Sequence, residues 1–461
     1  SVDLINSFGV LNGEGLSFNS DAEQILDLDP ESFGFINAFG SVFDLDSYID
    51  YFIFETYTQN SDWMGIFWGA NNIKLFRSNE LDGKWRYAMY DMDASFGYFG
   101  AGLADNYIDY ARNPSFPNDH SMIFNHVLEN DDFKCLFVNR YADLLNTNFR
   151  QDYFNNVVDS MYSLISETMP LHIQTWDQIG SYNEWLSSVQ AIKYYNYNRL
   201  NPARNNVINS LGLPGKVDLL LNVFPNGAGK VKISTTVPET FPWTGVYFKG
   251  CPVQIEAIPN EGFGFIEWQS NTHINQGAMD DYSQTVNLEL LYDDEFKAIF
   301  QPCPNTISVT IQHVGDLFIP LINDSYVVSS YEWFLDGMII GNGAFYTPLS
   351  SGEYQLYVEV NGCQFQSDIF DYDANGIDHL HSNEISISPN PASEYIIVKK
   401  PKDVSLSLTI TDIHGRETHI SNYHLDEIDN RFDISNLSSG LYEIILESDN
   451  GQFSYQKFMK E

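Results

Sequence analysis

Residues 60–97 read NSDWMGIFWGANNIKLFRSNELDGKWRYAMYDMDASFG, and this segment decides both the fold around it and the candidate site. Two short runs rich in apolar and aromatic residues, Ile73–Arg77 and Trp85–Tyr90, flank the polar residues 78–83, which end in Asp-Gly. An Asp-Gly pair between two such runs is typical of a tight connection between antiparallel strands. The segment therefore predicts a β-hairpin.

Polar side chains lie at both ends of the predicted hairpin. Asp62 and Asn72 precede its first strand, whereas Asp91 and Asp93 follow its second. Carboxylate and amide oxygens that meet at strand ends suit a hard cation such as Mg²⁺, which takes oxygen ligands together with phosphate oxygens. The order Asp, Asn and then Asp before Phe-Gly also follows the arrangement of acid and metal-binding residues in kinases.

The same segment resembles the core motif of the CotH (spore coat protein H) kinase family, which are atypical secreted protein kinases. The positions that carry the resemblance are Asn60, Asp62, Trp63, Asn71, Asn72, Ile73, Lys74, Lys84, Trp85, Arg86, Tyr90, Asp91, Asp93, Phe96 and Gly97. The resemblance implies that Asp62 is the catalytic acid–base residue and that Asn72 and Asp91 bind divalent metal. Asp93 is expected beside them as a further metal or orienting carboxylate. ATP and Mg²⁺ or another divalent cation are the implied cofactors of the full-length protein.

Two features of this segment's surroundings bear on activity. Residues 1–61 contain no Lys or Arg that could contact ATP phosphates as a kinase lysine does. A nucleotide-binding lobe is therefore expected to be absent here, and this sequence alone is expected to be inactive. The segment Met64–Ala70 is also longer than the corresponding segment of the family. If it displaces Asp62 from the site, the chain is not expected to be catalytic.

Composition excludes several classes of partner. The 461 residues include 62 acidic and 23 basic side chains, for a formal net charge of −39. Such a surface repels nucleic acid and anionic lipid, because their binding depends on Lys and Arg that neutralise phosphates. The sequence has no apolar run of about eighteen residues, which predicts no membrane span, and it opens without the basic and apolar regions of a signal peptide.

The four cysteines match no zinc-binding spacing. Cys303 and Cys363 bracket one β-rich segment and are candidates for a disulfide in an oxidising compartment.

Helical periodicity dominates the N-terminal part of the chain. An Asp-Leu-Asp-Ser cap at residues 44–47 precedes an apolar stripe at residues 48–55, which predicts a helix immediately before Asp62. Further helical segments are predicted at Phe133–Asn146, Gln151–Glu167, Tyr182–Tyr195 and Arg199–Leu211. The CotH resemblance covers about residues 21–213, so residues 1–213 are interpreted as a kinase-like helical C-lobe.

After Leu213-Pro214-Gly215 the sequence alternates apolar and polar residues over short runs, which predicts strands. Residues 214–301 resemble a divergent internalin-type B-repeat, a spacer or adhesion module. Residues 302–371 resemble an immunoglobulin-like sandwich, with Trp333 as an inward tryptophan, and residues 372–383 are a polar linker. The predicted fold is thus multidomain, α+β and then all-β: a kinase-like helical C-lobe followed by three small β-sandwich or β-repeat modules.

The third module, residues 384–461, resembles the type A C-terminal sorting domain of the type IX secretion system. The motif residues are Pro389, Asn390, Pro391, Gly415, Gly440, Tyr442, Lys457 and Lys460. The resemblance implies export to the outer surface of a Gram-negative bacterium, or secretion from it, with components of the translocon as partners.

Two functions remain open at this stage. The first is an exported CotH-like kinase that phosphorylates Ser or Thr hydroxyls of secreted or surface proteins. The second is a non-catalytic surface or adhesion protein, in which the kinase-like block is a scaffold and the β-modules are a stalk. A carbohydrate-active enzyme with a carboxylate pair is a third class, but no motif supports it.

Overall fold

In the computed structural model of the chain, the residues described are 2–6, 9–12, 16–176, 178–304, 307–314, 316–322, 327–372, 386–400, 405–412, 416, 418, 420, 423–425, 429–448 and 453–461. The chain forms two compact units. The N-terminal unit comprises residues 1–305 and 361–363, and the C-terminal unit comprises residues 306–360 and 364–461.

The N-terminal unit opens with a mixed region of strands and helices. Its elements are β1 (Val2–Asn6), β2 (Gly9–Asn12), α1 (Leu16–Leu26), α2 (Phe35–Val42), α3 (Leu45–Thr58), β3 (Lys74–Ser78), β4 (Arg86–Ala88), a 3-10 turn (Met92–Ala94), α4 (Tyr107–Arg112), α5 (Asp119–Val127), α6 (Asp131–Asn146), α7 (Gln151–Ile165), α8 (Met169–Trp176) and α9 (Tyr182–Leu211). The four strands form one antiparallel sheet in the order β2-β1-β3-β4. The predicted hairpin is confirmed as β3 and β4, which pair from Lys74–Ala88 to Phe76–Arg86.

Helix α3 is the centre of this region. The Asp44 side chain caps it by accepting a hydrogen bond of 2.9 Å from the Ser47 amide. Its aromatic residues pack on every side, and Phe52 stacks on Phe124 with ring centroids 4.3 Å apart. Because nearly all of its second half is buried, α3 fixes the position of the chain that leaves its C-terminal end.

Helix α9 continues where the sequence predicted an interruption. The prediction of separate helices ending at Tyr195 and beginning at Arg199 is wrong, because residues 182–211 form a single helix that contains Pro202. The polar residue in the supposed gap, Asn196, is buried and donates to the Phe149 carbonyl (2.9 Å). Arg199 reaches the end of α3 and donates to the Tyr57 carbonyl (3.1 Å), which supplies a partner that helix ends otherwise lack.

The remainder of the N-terminal unit is all-β. It consists of β5 (Lys216–Phe224), β6 (Gly229–Ile233), β7 (Trp243–Phe248), β8 (Val253–Pro259), β9 (Phe263–Ser270), β10 (Thr285–Leu288) and β11 (Asp294–Pro302). These strands make two sheets, β7-β5-β11-β9 and β10-β8-β6. Side chains alternate between buried and accessible along β5, as expected of strands that face a core on one side.

This β-region packs against α6 of the helical region. Asp143 is completely buried and accepts hydrogen bonds from the Thr235 amide (2.9 Å), the Thr235 hydroxyl (2.7 Å) and the Tyr247 hydroxyl (2.7 Å). A disulfide also joins Cys135 of α6 to Cys251, a pair that the sequence analysis did not propose. The buried residues of both regions belong to one continuous core. The first β-module is therefore built into the helical region and is not a detached spacer.

The C-terminal unit contains two sets of strands. The first set is β12 (Val309–Val314), β13 (Leu317–Ile322), β14 (Val328–Leu335), β15 (Met338–Gly341), β16 (Gly352–Val360), β17 (Cys363–Gln366) and β18 (Phe370–Tyr372). The first residue of β17, Cys363, is assigned to the N-terminal unit. It forms a β12-β13 pair and a sheet in the order β15-β14-β16-β17, with β18 paired to β16. Trp333 is buried in its core, as expected, and the Tyr354 hydroxyl donates to the Ser350 carbonyl (2.7 Å).

The second set comprises β19 (Ser386–Ser388), β20 (Tyr395–Lys399), β21 (Leu406–Asp412), β22 (Tyr423–Leu425), β23 (Asp429–Asp433), β24 (Gly440–Ser448) and β25 (Phe453–Lys460). These strands form the sheets β19-β20-β23 and β22-β21-β24-β25 around a core of their own. The predicted linker, residues 372–383, lies outside the described residues except for Tyr372, which ends β18. None of the helices in the described part of the chain is both long and apolar enough to cross a bilayer. The α+β and then all-β layout is as predicted.

Replacing Asp143 with alanine is expected to destabilise the N-terminal unit by about 2–4 kcal/mol, because the buried Tyr247 hydroxyl and the hydroxyl and amide of Thr235 lose their acceptor. Urea unfolding followed by tryptophan fluorescence measures the change. Asp132→Ala is the matched control, since this exposed residue in the first turn of the same helix should contribute less than about 1 kcal/mol. Equal effects of the two substitutions would contradict the structural role of Asp143.

Candidate functional site

Asp62 lies on a short loop that leaves the buried end of α3. The helix ends at Thr58, and the C-cap residue Gln59 adopts a left-handed backbone conformation with φ of 58°. The buried Asn60 side chain then accepts a hydrogen bond from the Asp62 amide through Oδ1 (3.2 Å). We call residues 59–63 the Asp62 loop. It places the Asp62 carboxylate in a half-buried position.

Two asparagine amides hold the Asp62 carboxylate. Asn71 Nδ2 donates to Oδ1 (2.8 Å), and Asn72 Nδ2 donates to Oδ2 (3.2 Å) and to the Asp62 carbonyl (2.9 Å). The two halves of the motif thus remain hydrogen-bonded across the long segment Met64–Ala70. That segment is anchored elsewhere, because the Gly65 carbonyl accepts from the Phe116 amide (3.0 Å).

Asp91 and Asp93 follow β4 on what we call the Asp91 turn (residues 91–95). Asp91 has φ of 52°, a left-handed conformation that is uncommon outside glycine. Both carboxylates are exposed. The Ser61 amide donates to the Ala94 carbonyl (3.0 Å), so the Asp62 loop and the Asp91 turn lie directly against each other.

The donor set suits one hard cation that shares its ligands with phosphate. In the described part of the chain, no three His, Cys, Asp or Glu side chains group as a metal cluster. Asn72 donates through Nδ2, so its Oδ1 is the atom available to a cation. One or two carboxylates with phosphate oxygens is the usual ligand set of Mg²⁺. Asp91, Asp93 and Asn72 fit that chemistry.

Lys74 is a cation near the site to which the sequence analysis, although it names Lys74 as a motif position, assigns no role. Its ammonium lies 3.1 Å from the centroid of the Tyr90 ring. Tyr90 directly precedes Asp91 in the sequence. Residues 1–61 contain no Lys or Arg, whereas the hairpin itself supplies a cation. Lys74 pairs with Ala88 across the hairpin. Because side chains alternate between the two faces of a strand, this register indicates that Lys74 lies on the same face as Tyr90, two residues beyond Ala88.

Glu55 is the second residue that sequence reasoning missed. It lies in the last turn of α3, is completely buried, and accepts a hydrogen bond from Asn60 Nδ2 through Oε2 (3.0 Å). Burial raises its pKa to about 8, while hydrogen bonds from Asn60 and Tyr51 oppose the shift. The acid is therefore mostly protonated at neutral pH. In the sequence, Glu55 cannot be distinguished from an acid on the surface of a helix. Its burial follows from the packing of its neighbours in the folded chain.

Most of the sorting-motif residues meet along β25. Asn390 donates through Nδ2 to the Lys457 carbonyl (3.0 Å) and accepts through Oδ1 from the Met459 amide (2.9 Å). Gly440 pairs with Lys460, and Tyr442 pairs with Phe458, on which it stacks. Pro389 and Pro391 flank Asn390. Gly415 lies outside the described residues.

The structure also joins Cys303 and Cys363 by a disulfide within the N-terminal unit. With Cys135–Cys251, all four cysteines are paired.

Comparisons with known proteins find two family matches. Residues 20–201 match the family model described as CotH kinase protein. Residues 386–461 match the model described as Secretion system C-terminal sorting domain. No curated protein sequence matches the chain.

Similar solved structures include fibronectin(III)-like modules of Clostridium thermocellum CbhA (12% identity, 33% of this chain, 92% of that chain, TM-score 0.13). Another is the Bacteroides ovatus glucan-utilization protein SGBP-B in complex with a mixed-linkage heptasaccharide (11% identity, 54% of this chain, 67% of that chain, TM-score 0.13). A third is the Treponema pallidum lipoprotein Tp47 (11% identity, 47% of this chain, 67% of that chain, TM-score 0.15). TM-scores of this size establish no common overall fold.

The raised pKa of Glu55 predicts how stability depends on pH. The folded state holds a proton up to a pKa of about 8, whereas the unfolded chain releases it near 4.5. This group's stabilisation is therefore complete below pH 4.5 and is lost as pH rises to about 8, at roughly 1.4 kcal/mol per pH unit. Glu55→Gln should remove this slope. Urea unfolding at pH 5.5, 6.5 and 7.5 should show that the free energy of unfolding of the variant rises relative to that of the unsubstituted protein as the pH increases. A difference in unfolding free energy that is the same at all three pH values would contradict the raised pKa of Glu55.

Asn390→Ala is expected to destabilise the C-terminal unit by about 1–2 kcal/mol, because two hydrogen bonds to the backbone of β25 are lost. Hydrogen–deuterium exchange should show faster exchange in residues 456–460. The exposed Asn436 serves as the control position, where alanine should leave β25 unchanged. Unaltered exchange in Asn390→Ala would show that the Asn390 side chain does not stabilise β25.

Proposed function

Residues 20–201 are a CotH kinase domain and residues 386–461 are a type IX secretion C-terminal sorting domain, and from this premise we propose that the exported protein is an atypical Ser/Thr protein kinase. Its donor is ATP with Mg²⁺ or a similar divalent cation, and its acceptors are hydroxyls of secreted or surface proteins. The sorting domain implies contact with the type IX secretion machinery and export to the cell surface or medium. Attachment at the outer membrane of a Gram-negative cell is part of the proposal.

One observation carries the proposal. Asn71 and Asn72 each donate to a different oxygen of the Asp62 carboxylate (2.8 and 3.2 Å), and the loop that bears it is hydrogen-bonded to the Asp91 turn. An acid whose orientation is fixed in this way is prepared to receive a proton, because proton transfer depends first on geometry. Its position beside exposed carboxylates matches the separation of tasks in phosphoryl transfer.

Each residue has a distinct task in this mechanism. Asp62 orients the acceptor hydroxyl and takes its proton, while Asn71 and Asn72 keep the carboxylate from rotating. Asp91, Asp93 and the Oδ1 atom of Asn72 would hold the cation. Lys74, on the same hairpin, would supply a positive charge to a phosphate oxygen. The cation, when bound, neutralises charge on the phosphates.

A non-catalytic surface protein is the competing function, and one observation favours it. Both Asp62 oxygens already accept amide hydrogen bonds, so the carboxylate could be a purely structural brace between the two halves of the motif. The β-region packed on α6 would then extend a rigid binding scaffold. Under this alternative, removal of the Asp62 charge affects folding and not phosphate transfer.

Phosphate transfer from radiolabelled ATP, measured with the full-length protein and Mg²⁺ or Mn²⁺, separates the two functions. Asp62→Asn and Asp91→Asn should each lower transfer by roughly 100-fold or more, because one loses the proton acceptor and the other a metal ligand. Lys74→Met should raise the KM for ATP. Glu80→Gln, which removes an exposed charge from the turn of the same hairpin, should have no effect.

Absence of transfer by the unsubstituted full-length protein, with no calorimetric binding of Mg-ATP, would establish the non-catalytic alternative. Equal activity of Asp91→Asn and the unsubstituted protein would remove Asp91 from the mechanism.

A further inference from the structure

Beneath the candidate site lies an acid that no step of the proposed mechanism uses. Glu55 is completely buried in the last turn of α3, and its Oε2 accepts from Asn60 Nδ2 (3.0 Å). The other oxygen, Oε1, is buried and has no hydrogen-bond partner among the described residues. Burying a carboxyl group without full hydrogen bonding is costly, so a buried acid in this place calls for a specific role.

Asn60 connects Glu55 to both segments of the site. Its Oδ1 accepts from the Asp62 amide (3.2 Å), while its Nδ2 lies 3.6 Å from Met92 Sδ, within the Asp91 turn. The next residue, Ser61, donates its amide to the Ala94 carbonyl (3.0 Å). A single buried asparagine therefore contacts the loop that carries the acid and the turn that carries the metal carboxylates. Its own orientation depends on Glu55.

We propose that Glu55 is a positioning residue of the candidate site, which acts through Asn60 to hold the Asp62 loop against the Asp91 turn. This inference rests on the proposed function for its effect on catalysis, but its structural part can be tested without activity. Misplacement of a reacting group by about 1 Å can lower a rate by roughly 100-fold. A residue that touches neither substrate nor cation can therefore control the rate.

The neutral acid suits this role better than an ionised one. Its protonated state keeps an acceptor for Asn60 without placing a charge under the site. The groups that face it are the Tyr51 phenol of α3, Asn60 of the Asp62 loop and, through Asn60, Met92 of the Asp91 turn. None of these three is a cation that would stabilise an ionised Glu55. Ionisation near pH 8 should therefore draw water to the buried pair and loosen the two segments.

Three variants of the full chain test the proposal. Glu55→Met keeps the side-chain length but removes the acceptor, Glu55→Gln retains a neutral acceptor, and Thr56→Val is the matched control. Thr56 is the neighbouring buried polar residue, and its hydroxyl donates to two carbonyls of its own helix, those of Phe52 (2.7 Å) and Ile53 (3.1 Å). Thr56→Val therefore reports the effect of losing a buried hydrogen bond in α3 itself.

Hydrogen–deuterium exchange is the first measurement. In Glu55→Met, residues 60–63 and 92–95 should exchange about tenfold faster, as loss of one hydrogen bond predicts, whereas Glu55→Gln and Thr56→Val should not change them. After correction for intrinsic rates, the unsubstituted protein should lose protection in both segments above pH 8, and Glu55→Gln should keep it. The pH comparison decides the question even if Glu55→Met does not fold.

Kinetics supply the second measurement. Glu55→Met should lower kcat by roughly 10- to 100-fold with less than about a threefold change in the KM for ATP, and Glu55→Gln should restore kcat. The unsubstituted protein should lose kcat above pH 8, and Glu55→Gln should not.

Exchange in Glu55→Met no faster than in Thr56→Val, or the same loss of protection above pH 8 in Glu55→Gln and the unsubstituted protein, would overturn the proposal. If the unsubstituted protein transfers no phosphate, the proposed function fails while the exchange results still decide the role of Glu55.

Discussion

The burial of α3 is the constraint on which the rest of the N-terminal unit depends. Helices of globular proteins usually bury one face, but the second half of α3 is enclosed almost completely. Arg199 of α9 donates to the Tyr57 carbonyl at its end, and Phe52 stacks on Phe124 of α5. The helix therefore cannot shift without disturbing several neighbours. Residues that leave its C-terminal end inherit that fixed position, which is why the short Asp62 loop is well placed.

The β-region adds a second constraint, on α6. Side chains of one helix turn, Asp143 and Asn146, bind strands that lie about one hundred residues away in sequence, and Asn146 both donates to and accepts from Val246 (2.9 and 3.0 Å). The Cys135–Cys251 disulfide closes the same connection covalently. A long closed loop restricts the unfolded chain most. An exported protein gains from such a link, since disulfides persist in oxidising surroundings.

Local signals in the sequence were sufficient for local structure. Apolar periodicity predicted α3, and Asp-Gly between aromatic runs predicted the hairpin, because both depend on residues close together in the chain. The predicted interruption between Tyr195 and Arg199 is wrong because the burial of Asn196 inside this helix depends on Phe149, which lies far away in sequence. Cysteine spacing likewise cannot specify pairing. The motif was sufficient to predict that Asp62 and Asn72 lie close together, whereas Glu55 could be recognised only from its buried surroundings.

The two motif-bearing parts of the chain have separate hydrophobic cores among the described residues, and this shapes how function can be divided between them. The candidate site is built on a core of aromatic residues around α3, whereas the sorting strands enclose a separate core that includes Ile396 and Leu446. A substitution inside one core acts first on the packing of the residues that it contacts. The sorting strands, which enclose a core of their own, therefore have a structural basis for being recognised by their own surface. Under the proposed function, a substitution in the core around α3 lowers catalysis while the sorting strands keep the core that shapes them.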